Sequence, residues 1–265
     1  MPHVVESHAH RQVRSTLTDL AREINGLPLD KFELQQLESL NIHIDPLTPD
    51  ATSAHKPAYF ASYPDHCVPE PKIDDVGGAY NGLDDETERS LTRPADRAYV
   101  MNIHLSSYIS YYDLNAKEER VPWISRCVGD SAFENSGLYK HDQPEFGCYH
   151  IAELNDPAYP HIKAVMYNNM VATDSTILYG ELISILRIML TQLRRQKFIH
   201  QMVTPVFIIS LMGFQARVME AFFRDGKMVL RPTKLYDFSH GNHNAFKILA
   251  QWYIGKPIGI TTLAS

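Results

Sequence analysis

The stretch from Asp174 to the C-terminus constrains the fold of this chain more than any other. Leu178, Leu182, Ile185, Met189 and Leu193 recur at intervals of 4, 3, 4 and 4 residues, which places them on one face of a long helix. Asp174 or Ser175 stands where an N-cap belongs. Pro205 then opens VFIISLMG, an apolar run typical of a strand buried on both faces. ARVMEAFF reads as a second strand, Asp225-Gly226 as a hairpin turn, and KMVLRPTKLYDF as a third strand bent near Pro232. Asn244 to Ile254 forms a second amphipathic helix ended by Gly255, and IGITTLA reads as a closing strand. The order helix, three strands, helix, strand predicts an α/β (α+β) fold with a central mixed sheet and flanking helices.

Upstream, Val13, Leu17, Leu20 and Ile24 share a helix face, Gly26 suits its C-cap, and Pro28 ends it. A second helix over Lys31 to Leu40 would make residues 1–43 an N-terminal helical hairpin. Residues 44–92 hold Pro46, Pro49, Pro57, Pro64, Pro69 and Pro71, together with the acidic pairs Asp74-Asp75 and Asp84-Asp85. That composition reads as an acidic, Pro/Gly-rich loop or insertion. Its carboxylates lack the regular spacing of a calcium loop. Thr92 and Pro94 begin another helix, on which Met101, Leu105, Tyr108 and Tyr112 align. Residues 117–160 are turn-rich and yield no order, while His161 to Tyr167 reads as a short strand. Residues 93–265 form the α/β core of one compact domain.

Charge and cysteine usage exclude some functions. The net charge is −6, from 25 basic and 31 acidic residues, which disfavours phosphate-driven nucleic-acid binding. The densest basic cluster, Arg187, Arg194, Arg195 and Lys197, reads as a solvated helix face. Cys67, Cys127 and Cys148 form no paired motif, so a reducing compartment is expected. The longest apolar run, Val206 to Phe214, is too short to cross a membrane as a helix. A cytoplasmic location is expected, with the nucleus as the alternative. P-loop, dinucleotide-binding, nucleophile-elbow and H-E-x-x-H motifs are absent from the sequence.

The element order of residues 174–262 resembles the core of the PD-(D/E)XK nuclease-like superfamily. That resemblance implies a magnesium site built from a helical Glu, an acidic residue on one strand and an acid-x-Lys group on the next. Here Glu181 lies on the helix, about 80° from the centre of its apolar face, and Glu220 in VMEAF stands in for the strand acid. Lys227, Arg231 and Lys234 complete no acid-x-Lys group, so the implied motif is degenerate. The phrases YGELISIL, PVFIISLMG, RPTKLYDF and AQWYIGKPIG are also similar to those of a group of uncharacterised filamentous-fungal proteins. That similarity implies a fungal source and no activity.

Other constellations are weaker. His240 and His243, in SHGNH beside Asp237, read as a metal pair, as an acid–base His oriented by the Asp237 carboxylate, or as a polar loop with Ser239 or Asn242 capping the next helix. Tyr108, Tyr111 and Tyr112 can line an aromatic pocket, with Arg217 and Lys234 as candidate binding cations. Cys148 and His150 are near neighbours in an acidic setting that would raise the thiol pKa. His3, His8 and His10 crowd the N-terminus. The leading expectation is a non-catalytic binding or regulatory protein on a degenerate nuclease-like core, with a protein or small-molecule partner. The alternatives are a small-molecule enzyme using Asp237 and His240, an active Mg²⁺-dependent nuclease using Glu181 and Glu220, and a protein-binding module using the acidic loop.

Overall fold

The computed structural model describes residues 5–116, 120–129 and 132–262, apart from the Asp65 side chain. The chain begins with helix α1 (His8–Gly26), strand β1 (Lys31–Glu33), helix α2 (Leu34–Ser39) and strand β2 (Ile42–Ile44). Helices α3 (Glu86–Ser90) and α4 (Pro94–Asn115) follow, then strands β3 (Ile124–Arg126), β4 (Tyr139–Lys140), β5 (Phe146–Glu153), β6 (Ile162–Asn168) and β7 (Thr176–Leu178). Helix α5 (Tyr179–Arg194) leads into β8 (Val206–Met212), β9 (Gln215–Arg224), β10 (Lys227–Pro232) and β11 (Tyr236–Asp237), and α6 (His243–Ile254) comes last.

The main sheet runs in the order β2-β10-β9-β8-β6-β5-β3, with β4 added to β5 and β11 to β9. The pairs β2–β10 and β6–β8 are parallel, and the other pairs are antiparallel. A parallel pair needs a long crossover, which α5 supplies between β6 and β8. On one face, Leu182, Ile185, Met189 and Leu193 of α5 pack with Leu17, Leu20 and Ile24 of α1 against Ala164, Ile208 and Met219. On the other face, α4 and α6 pack against Val165, Phe207 and Val218, and Leu47, Phe60, Tyr63 and Tyr80 complete that layer. The strands β6 and β8 are buried on both faces, as their continuous apolar character requires.

The structure bears out the α/β class and departs from several details. The N-terminal part is no helical hairpin. Only Leu34–Ser39 of the expected second helix is helical, because β1 pairs with β7 and β2 joins the main sheet beside β10. The 44–92 stretch has little regular structure, yet it is folded onto the sheet through buried aromatics and two backbone amides bound by Glu220. The expected closing strand is absent among the described residues, where Pro257 makes one isolated bridge to Phe60. Thus residues 174–262 supply a helix, strands and a helix without the final strand. One module earlier, α4 is followed among the described residues by five strands, β3 to β7, of which β3, β5 and β6 form an antiparallel meander, and then by α5 and β8.

Candidate functional site

Glu181 and Glu220 do not converge. Glu181, in the first turn of α5, accepts the Leu178 amide at 2.8 Å and Arg217 Nε at 2.8 Å, with Arg217 Nη2 on its second oxygen. Arg217 Nη1 also donates to the Thr176 carbonyl at 2.7 Å, so this cation is enclosed and its donors are spent inside the protein. Glu220 accepts the Ala58 and Tyr59 amides at 2.9 and 2.7 Å and Arg231 Nη1 at 2.8 Å. Burial raises the Glu220 pKa, opposed by the two amides and Arg231. Residues three apart on a strand project to opposite faces, and β9 pairs without a break. Arg217 therefore carries Glu181 on the α5 face while Glu220 faces the 44–92 segment. The two acids that the nuclease alternative would use thus lie on opposite faces of the sheet.

The expected Asp237–His240 pair is also replaced. His240 Nδ1 lies 3.0 Å from Asp84 Oδ2, with both side chains largely exposed. Asp237 binds the Ser239 amide at 2.8 Å, and that bond holds its carboxyl below the usual range. Asn242 Oδ1 accepts the Ala245 amide at 3.1 Å, making the SHGNH loop a helix cap. Tyr108 and Tyr112 are buried in the core; Tyr108 stacks on Phe246 and hydrogen-bonds His243. Lys234 is exposed beside a groove of about 530 Å³ formed by Pro46, Leu47, Pro232 and Leu235. His10 is buried against Glu6 at 2.8 Å, His8 is exposed on α1, and His3 lies outside the described residues. Among the described residues, no group of three or more His, Cys, Asp or Glu is placed to hold a metal ion.

A different site emerges between α4, β3, β5 and α6. A cavity of about 320 Å³ is lined by Ser106, Ile109, Ser110 and Asp113 of α4, Trp123 and Ser125 around β3, His150 and Ala152 of β5, and Tyr253 and Ile254 of α6. A β-bulge creates its polar wall. Cys148 pairs with Met166 and His150 with Val165, so Tyr149 is the extra residue. Cys148 then packs in the α5-side core, where burial pushes its thiol up to about 12. Two residues later His150 reaches the opposite cavity, against the edge of Tyr253 at 5.6 Å. Strict alternation would have put both on one face, and bulges recur where a side chain must be re-aimed. Burial holds the His150 pKa down at about 4, so the ring is neutral at pH 7. A neutral imidazole offers one donor and one acceptor. Asp113 is gripped by Arg120 at 3.0 and 2.6 Å, so the cavity carries little uncompensated charge.

Lys163 fixes the floor of this region. Its buried Nζ donates to the carbonyls of Trp252, Tyr253 and Gly255 at 2.9, 2.8 and 2.6 Å, and lies 4.3 Å from the Trp123 ring centre. Trp123 Nε1 donates to the same Gly255 carbonyl at 2.8 Å. Burial pulls the Lys163 pKa well below its ordinary value, but three acceptors match the three donors of an ammonium. The arrangement satisfies the free carbonyls at the end of α6 and places a cation where the helix dipole favours one.

The polar wall escapes sequence reasoning because a bulge breaks the alternation by which strands are read. The one available signal was the juxtaposition of Cys148 and His150. Comparison with known proteins returned no match: no family model fits the chain, and no curated protein or solved structure is detectably similar.

Proposed function

We propose that the chain is a non-catalytic, small-molecule-binding protein built on a degenerate nuclease-like α/β core, with its ligand site in the cavity beside His150. The antiparallel meander β3-β5-β6 between α4 and α5, followed by β8, supports such a core, with the short strands β4 and β7 as additions to it. In the resemblance, acids from the helix and two adjacent strands converge on magnesium. Here the strand residues on the α4 and α6 side include Tyr149, His150 and Ala152 of β5 and Lys163, Val165 and Tyr167 of β6, none of them an acid. Among the described residues Asp113 is the one carboxylate lining the cavity, and this carries the reading. A hard divalent cation needs several oxygen ligands, and the buried acids Glu153, Glu181 and Glu220 are each bound by arginine, while a fourth, Glu88 on α3, lies outside the cavity lining.

The test is incubation of purified protein with Mg²⁺ or Mn²⁺ and single- and double-stranded DNA and RNA. No strand scission is expected. Metal-dependent cleavage that disappears in Asp113→Asn would overturn the reading.

One observation favours a second reading, a small-molecule enzyme: the bulge places a neutral imidazole in the cavity, where Asp113 also contributes to the lining. Screening uncharged fragments by protein-observed NMR separates the two. A fragment bound unchanged by the wild type favours the binding protein. A fragment converted by the wild type and only bound by His150→Gln favours the enzyme.

A further inference from the structure

Strand β3 and the C-terminal end of α5 bring three cations to one acid. Glu153, at the end of β5, is buried. Arg126 Nε donates to its Oε1 at 3.0 Å, Arg195 grips both oxygens through Nη1 and Nη2, and Lys197 Nζ lies 3.9 Å from Oε2. Three positive charges on one negative charge leave an excess of two. Burial alone would raise the Glu153 pKa, but Arg195, Lys197 and Arg126 hold it below the usual range.

The donors are unevenly used. Arg195 commits both Nη groups to Glu153, and Nη1 also reaches Gln192 at 2.7 Å. Arg126 uses only Nε, and its two Nη groups have no hydrogen-bond partner among the described residues. Lys197 makes one long contact, 3.5 Å to the Leu154 carbonyl, and rests 4.6 Å from the Phe198 ring centre. These side chains are 37% and 25% exposed, so the unused donors are open to solvent while Glu153 anchors them. Such a frame suits a tetrahedral oxyanion. Its charge would offset the excess, and its oxygens would accept the free guanidinium and ammonium donors.

We propose that Arg126, Arg195 and Lys197, gathered on Glu153, form a binding site for a phosphate group carried by a small molecule or free in solution. The cluster is compact and the chain carries a net charge of −6, which gives an extended polyanion little supporting field. Glu153 shares the face of β5 that carries Ile151, on the α5 side, whereas Ala152 lines the His150 cavity. The two sites stand or fall separately.

The full chain is titrated with inorganic phosphate, phenyl phosphate and ribose 5-phosphate, at ionic strength held constant with chloride, while its unfolding midpoint and binding heat are followed. Saturable stabilisation is expected with at least one of the three. Affinity falls at least tenfold in Lys197→Met and in Arg126→Met, and is unchanged in Lys227→Met, on the distant β9–β10 hairpin. Lys197→Met leaves both arginine bonds to Glu153 intact, so it reports on the site even if Arg126→Met folds poorly. Equal affinity for all three ligands identifies free phosphate as sufficient, and tighter binding of an organic phosphate identifies the carried form; either supports the site. No saturable effect, an effect retained in Lys197→Met, or binding of a DNA duplex or phosphopeptide without the small phosphates overturns it.

Discussion

The guanidinium of Arg217 grips the carboxylate of Glu181 side by side, through Nε at 2.8 Å and through Nη2, with both side chains sealed between β9 and the start of α5. Removing one partner of such a pair leaves an unpaired buried charge, which costs about 3–5 kcal/mol. Glu181→Ala and Arg217→Ala should each destabilise the protein by that amount in urea unfolding. Replacing both together, as Glu181→Leu with Arg217→Met, should recover most of the loss, because the desolvation of both ions then vanishes.

Glu220 has a second structural task, since it binds the Ala58 and Tyr59 amides as well as Arg231. Glu220→Ala should loosen the 44–92 segment before it unfolds the sheet. Hydrogen exchange would show lost protection at Ala58 and Tyr59 while the amides of β8 remain protected.

Burial holds both His150 and His161 at about 4, below the ordinary value near 6.5. The unfolded chain therefore binds more protons between those limits. This contribution to stability is complete above about pH 6.5 and is lost as pH falls toward 4, by roughly 3 kcal/mol per histidine. Glu6, held down to about 2 chiefly by Arg14 and His10, acts in a lower window. Denaturant titrations from pH 7 to 4 should show the fall, and His150→Phe should reduce it by about half.

Cys127 is exposed and Cys148 is buried with its thiol pushed up to about 12. A thiol-reactive dye should label native Cys127 rapidly and spare Cys148 until the protein unfolds. Rapid native labelling at Cys148 would show that the bulge does not hold it against α5.

The helices α4, α5 and α6 and the strands β8, β9 and β10 were legible because their apolar residues repeat at helical spacing or run unbroken. The strand β5 was not, since its bulge interrupts alternation and its sequence, FGCYHIAE, mixes polar with apolar residues. The Glu181–Arg217 pair joins elements 36 residues apart, and no local pattern predicts it. The Glu220–Arg231 pair was within reach. Asp225 and Gly226 both adopt positive φ, as a tight two-residue hairpin requires, and that turn sets Glu220 directly opposite Arg231. Reading register outward from the turn would have shown the acid to be paired by a cation.

The most direct test of the account is a Mn²⁺ titration followed by NMR at the amides of β5, β6 and α4, where paramagnetic broadening reports any bound ion. The account predicts weak, non-saturating broadening spread over exposed acids such as Asp74, Asp75 and Asp84. Selective, saturable broadening centred on Asp113, His150 and Lys163 would contradict it, because that cavity would then hold a metal ion.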